Sequence, residues 1–242
     1  MGVLAKLKNR VMGRRTSTTT STTTTTSYAQ FGEDVIIDYY FKYLNYQHPN
    51  YLDIGAFDPI ELSNTYRLYQ NGSRGVLVEP IAERARKIRA TRPRDTVLDC
   101  AIRTSDMPAE VEFYVMTAQT LSTIVKREAV YAETSRAWGE QHIADVRRVP
   151  ALTINEVLER HFKDGVDIID IDIEGLDLEV LREIDYERFR PRLVMVEIAG
   201  GHYADQKGGY SVTYETFIDF MATKGYRLLV PIVLNGIFVR DQ

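Results

Sequence analysis

Residues 51–80 constrain the fold more than any other stretch. Tyr51-Leu52-Asp53-Ile54 is a short apolar run that stops at Gly55, and Val76-Leu77-Val78 is a second that stops at Glu79-Pro80. Between them, 62–70 has the composition of a helix closed by Asn71-Gly72. Two short buried-type strands joined by a helix-length segment are neighbours in a parallel sheet, because parallel strands need a crossover. Ligands of such sheets lie beyond the carboxyl ends of the strands. A glycine there lets another group approach the backbone closely. This segment therefore sets the sheet type and points to the edge where a site belongs.

The same rhythm continues along the chain. Val35, Ile36, Tyr39, Tyr40 and Tyr43 recur at helical spacing after Gly32-Glu33-Asp34,. A basic helix is expected over 81–91 and a third strand over 96–98, and 110–115 alternates as a strand does,. Thr153 and Glu156 are spaced as a capping box for a helix to 162,. A strand over 167–171 precedes the Gly175 turn, then a helix over 176–184, a strand over 193–196 and a helix over 214–224 closed by Gly225,. Tyr226 to Val230 and Gly236 to Val239 flank Asn235-Gly236, a hairpin signal,. Residues 116–146 lack a strand pattern, carry the single tryptophan, Trp138, and read as a lid or substrate insertion,. The expected class is α/β with a Rossmann-like, mostly parallel seven-stranded sheet ending in an antiparallel hairpin, all within one domain over 28–242.

Charge and composition narrow the partners. Residues 1–32 hold Lys6, Lys8, Arg10, Arg14 and Arg15 and no acid, so a net charge of −4 leaves −9 on the rest. An acidic body argues against nucleic acid as a partner. Residues 16–27 are all Thr or Ser, so 1–27 reads as a basic, disordered tail,. Within it Val3, Leu4, Leu7 and Val11 lie roughly on one helical face, which suits weak contact with a membrane surface,. The tail's composition also suits an organelle-targeting peptide, and an unstructured tail is the plainest alternative. A lone cysteine, Cys100, permits no internal disulfide, and no secretory or membrane-spanning pattern is present,. A cytoplasmic location is expected, peripheral to a membrane if the tail engages one.

Strand-end residues carry the chemistry. Asp53, with Gly55 just after it, suits a cationic partner such as the ammonium of S-adenosylmethionine, whereas a pyrophosphate prefers bare N–H groups. The G-x-G-x-x-G fingerprint of nicotinamide sites is absent,. Glu79 closes the second strand about 25 residues after Asp53, near the spacing at which an acid accepts from ribose hydroxyls. Asp99, after the third strand, is placed either to accept from an adenine amino group or to form a turn.

At this point the chain resembles the FkbM family of methyltransferases. The matching text is Ser27-Tyr28-Ala29-Gln30-Phe31-Gly32-Glu33-Asp34, Tyr51 through Pro59, Ser63-Asn64-Thr65, Arg74 through Pro80, Leu121-Ser122-Thr123 and Ile171-Asp172-Ile173-Glu174-Gly175. Several short matches in order are more specific than any one alone. The resemblance implies the Rossmann-like methyltransferase fold, to which the C-terminal hairpin is suited. It also implies methyl transfer from S-adenosylmethionine, mostly to hydroxyl oxygens of sugars, glycolipids or polyketide-type products. Asp53, Gly55, Ala56, Asp58, Asn64, Glu79, Pro80 and Asp172 would then line the cofactor site. One departure is Asp170, where the family often has Ser or Lys.

A hydroxyl needs a base to become a good nucleophile. Asp172, Glu174 and His202 are the candidates, with Glu197 ending the next strand. Two acids held close raise one another's pKa, which suits a base near neutral pH. The same acids, with an amide or imidazole, would also suit Mg2+ or Mn2+, although no complete ligand set is spelled out. Two other classes remain open to the sequence: a different nucleotide-dependent Rossmann-like enzyme, and a non-catalytic module that keeps the pocket.

Overall fold

The computed structural model describes residues 25–135, 138–198 and 213–241. The basic N-terminal stretch through residue 24 and the Gly200-Gly201-His202-Tyr203 loop lie outside the described residues.

Five short runs buried on both faces form the parallel part of a seven-stranded sheet: β1 (Tyr51–Ile54), β2 (Gly75–Val78), β3 (Thr96–Leu98), β7 (Ile168–Ile171) and β8 (Leu193–Glu197). The order is β3-β2-β1-β7-β8-β10-β9, where β9 is Tyr226–Ile232 and β10 is Asn235–Arg240. β10 runs antiparallel to both neighbours. The chain leaves β1 toward β2 and β3, then returns on the other side of β1 as β7. That reversal places a topological switch point between β1 and β7,.

Side-chain alternation divides the core into two layers. Leu52, Ile54, Val76, Val78, Ile169, Ile171, Val194 and Val196 face α5 (Ile154–His161), α6 (Asp177–Glu183) and α7 (Tyr214–Thr223). Tyr51, Leu77, Ile168, Leu193 and Met195 face α1 (Glu33–Tyr43), α2 (Tyr66–Gln70) and α3 (Ala82–Thr91). The capping box of α5 is present: Thr153 Oγ1 accepts from Glu156 N–H, and Glu156 accepts from Thr153 N–H at 2.7 Å.

Three details differ from the sequence expectation. The helix expected over 62–70 starts only at Tyr66, because the residues before it are held in turns. Asp58 accepts from the N–H groups of Ile60 and Glu61, and Ser63 Oγ accepts from Tyr66 N–H. The stretch over 116–146 is not without a strand. It holds a 3-10 turn (Gln119–Leu121), α4 (Lys126–Ser135) and the start of β6 (Ile143–Thr153). β6 joins β4 (Ala101–Arg103) and β5 (Glu110–Met116) in a second, three-stranded sheet. The hairpin turn falls on Val233-Leu234, with Val233 at φ 46°, and Asn235-Gly236 begins β10 instead. Asn235 is drawn inward by pairing with Glu197 across the strands and by donating its side-chain N–H to Glu33 at 2.9 Å.

Candidate active site

A cavity of about 340 Å³ opens at the carboxyl ends of β1, β2, β7 and β8, over the switch point. This is a size that takes a small organic ligand. Asp53, Gly55, Ala56, Asn64, Glu79, Pro80, Asp172 and Glu174 all line it. Gln119, Leu121, Ser122, Ile124 and Trp138, all within 116–146, line another part of it.

Gly55 sits at φ 88°, and a Cβ there would lie 1.9 Å from the Asp172 carbonyl oxygen. Its necessity arises from the neighbouring strand end as much as from any ligand. The Asp172 N–H donates to the Ile54 carbonyl at 3.1 Å, so the β1 and β7 exits are tied together.

Glu79 points back over the β1 exit. Its carboxylate accepts from Phe57 N–H at 3.0 Å and from Ile81 N–H at 2.7 Å. Burial pushes its pKa up to about 7, against the opposing pull of those N–H groups and of Arg84,. Each oxygen keeps acceptor capacity, so a diol can still be bound. Arg84 lies over the Phe57 ring at 3.6 Å, donates to the Phe57 carbonyl and grips Gln119 Oε1. It thereby pins the insertion to the loop after β1.

Asp53 is served from beneath. It accepts from Thr65 Oγ1, which in turn accepts from the fully buried Arg92 at 3.0 Å. Arg92 also donates to Tyr51 Oη at 2.9 Å and Asp95 at 2.8 Å. Asp170 lies beside Asp53 in strand register and accepts from Asn64 Nδ2 at 3.0 Å, but its Oδ1 has no partner. Burial and the Asp53 charge hold Asp170 well above the usual carboxylate range.

Three further carboxylates converge on the same wall. Oxygen atoms of Asp172, Glu174 and Glu197 lie within 4.8 Å of one another. Burial, followed by repulsion from Asp177 and Asp53, pushes Asp172 up to about 7, and burial followed by repulsion from Asp172 holds Glu174 and Glu197 well above the ordinary value,. Glu174 sits in the left-handed region at φ 57°, a conformation that costs a non-glycine residue energy unless neighbours impose it,. Thr123 donates to its carbonyl at 2.8 Å, and Asp177 accepts from the flanking N–H groups of Ile173 and Gly175.

Asp58 and Asp99, expected at the cofactor site, stand apart from the cavity. Asp58 shapes its own turn and pairs with Lys87, while Asp99 is on the surface paired with Arg89. In both cases the carboxylate is paired with a basic residue of α3. His202 lies outside the described residues. Asn235, Arg84 and Arg92 were missed as site or support residues. Asn235 was absorbed into a turn signal, and neither arginine belongs to a local motif.

A ligand-sized cavity over the switch point of a mostly parallel sheet, lined by several carboxylates, places the chain among α/β ligand-binding domains. Residues 53–228 match the family described as the methyltransferase FkbM domain, and the chain belongs to that family of methyltransferases. No curated protein and no solved structure matches the chain.

Proposed function

We propose that the chain is a Rossmann-like methyltransferase that uses S-adenosylmethionine to methylate a hydroxyl oxygen, the acceptor being a sugar, glycan or glycolipid intermediate. The observation that carries this reading is the convergence of Glu79 with an under-neutralised acidic wall in one cavity at the switch point. Glu79 is set to accept from the ribose hydroxyls. The sulfonium and ammonium charges of the donor suit the carboxylates around them. Ala56, Asn64 and Pro80 complete the cofactor side of the cavity.

Bound there, S-adenosylmethionine would supply an electrophilic methyl group to the acceptor oxygen, its sulfur leaving with the electron pair of the carbon–sulfur bond. The hydroxyl proton would pass to a carboxylate, for which Asp172 and Glu174 are the candidates; Asp172, pushed up to about 7, suits work near neutral pH,. Holding the two reactants in line supplies much of the rate. Residues 116–146 would form the acceptor side of a single domain over 28–242. No helix among the described residues is long and apolar enough to cross a membrane. We infer a cytoplasmic location, peripheral to a membrane if the basic N-terminal segment engages a surface, and no nucleic-acid partner.

Calorimetric titration with S-adenosylmethionine and S-adenosylhomocysteine tests the reading. Saturable binding of one ligand per chain, weakened at least ~10-fold by Glu79→Ala, is expected from the loss of charged hydrogen bonds. Absence of both heat and thermal shift with either ligand would reject it.

A further inference from the structure

We propose that Asp172, Glu174 and Glu197 form a site for one divalent cation of the hard, oxygen-seeking class, Mg2+ or Mn2+, in the wall of the cavity. The proposal deepens the methyl-transfer reading and rests on it only for the cation's use, not for its binding.

An isolated buried carboxylate is costly unless it is hydrogen-bonded or paired. Most neighbouring carboxylates are satisfied by the protein itself, Asp170, held only through its Oδ2 by Asn64, being the exception. Asp177 accepts from two N–H groups, Glu33 accepts from Phe31 N–H and Asn235 Nδ2, and Asp53 is held by Thr65 over Arg92. Among the described residues no ion pair and no hydrogen bond reaches the carboxylates of Asp172, Glu174 or Glu197. Glu197 is the sharpest case. It is only 6% exposed, its Oε2 has no partner, and it faces the cavity alongside the other two acids.

Three such groups with oxygens within 4.8 Å make a ready cation site. Around a Mg2+ or Mn2+ ion about 2.1 Å from each ligand, neighbouring oxygens lie about 3–4 Å apart, so small side-chain rotations close the set. The all-oxygen donor set favours these hard ions over zinc or copper, which prefer imidazole and thiolate. The backbone is already fixed. The Thr123 bond to Glu174 and the Asp177 bonds to Ile173 and Gly175 hold the loop, while Gly55 packs against the Asp172 carbonyl. Three protein ligands leave positions open to an acceptor oxygen. A hydroxyl bound there becomes a stronger acid.

The test is Mn2+ titration of the full chain, followed by the paramagnetic resonance signal of the free ion, with no methyl donor present. One Mn2+ per chain should bind, Mg2+ should displace it, and Glu197→Gln should weaken it at least 10-fold. Asp99→Asn, a carboxylate change outside the cavity, should titrate as wild type. Without metal, Glu197→Gln should melt no lower than wild type, since it removes repulsion; should it fail to fold, Glu174→Gln tests the same site. Mn2+ that stays free at millimolar concentration, or binds wild type and both glutamine variants equally, overturns the proposal. Because no donor is present, that failure is separate from failure of the S-adenosylmethionine titration.

Discussion

Two acidic clusters lie near the same sheet edge and are handled in opposite ways. Beneath β1, Asp53 and Asp95 are bound into a closed network by Arg92, Tyr51 and Thr65, with every partner supplied by the chain. Beyond β7 and β8, Asp172, Glu174 and Glu197 crowd together without basic partners among the described residues. A closed network specifies structure, since each charge is neutralised at home. An open one is tolerated only where something else supplies the neutralising charge, and functional sites are where such imbalance collects. The difference separates support from chemistry more cleanly than burial does, since each cluster holds a deeply buried carboxylate, Asp53 in one and Glu197 in the other.

The largest effect is expected from breaking the closed cluster. Arg92→Met strands Asp53 and Asp95 and should cost about 3–5 kcal/mol in urea unfolding, the usual cost of removing one partner of a buried ion pair. A loss under about 1 kcal/mol would show that the network is not the support described here. The open cluster should show no such loss, as the Glu197→Gln melting comparison measures.

Glu79 stands between the two. Its folded pKa, near 7, lies above its ordinary value of 4.5. The folded state therefore binds the proton more tightly. Its contribution to stability is full below pH 4.5 and is lost as pH rises through about 7,. Urea unfolding of ligand-free protein across that window should show a fall on the order of 1–3 kcal/mol attributable to this group. Glu79→Gln should flatten it, and an unchanged slope would contradict the assignment. The smallest effect belongs to the exposed pair of Asp99 and Arg89, where Asp99→Asn should change stability by less than about 1 kcal/mol and leave donor binding intact,. A tenfold loss of donor affinity there would return Asp99 to the site.

These contrasts also mark where the sequence was readable. β1, β2, β7 and β8 announced themselves because strands covered on both faces are continuous apolar runs,. β4 is three residues long, too short to carry a pattern, and β6 buries only Val149 and Ala151. The Asp145, Arg147 and Arg148 side chains of β6 look like loop composition, although they pair with one another or with Glu83 and Glu110. Asp53, Glu79, Asp172 and Glu174 were legible because strand ends are where ligands sit. Asp58 and Asp99 occupy similar positions in the text, but their orientation depends on Lys87 and Arg89, which are distant in sequence. Asn235 shows the same limit. Asn-Gly favours a turn locally, and Glu33, some two hundred residues away, overrides it.

The most direct measurement is a structure of the chain with S-adenosylhomocysteine. The ligand should lie over the β1 and β2 exits, with ribose hydroxyls at Glu79 and its sulfur directed toward the Asp172, Glu174 and Glu197 wall. Ligand density elsewhere, or a ribose turned away from Glu79, would contradict the assignment of this cavity as the methyl-donor site.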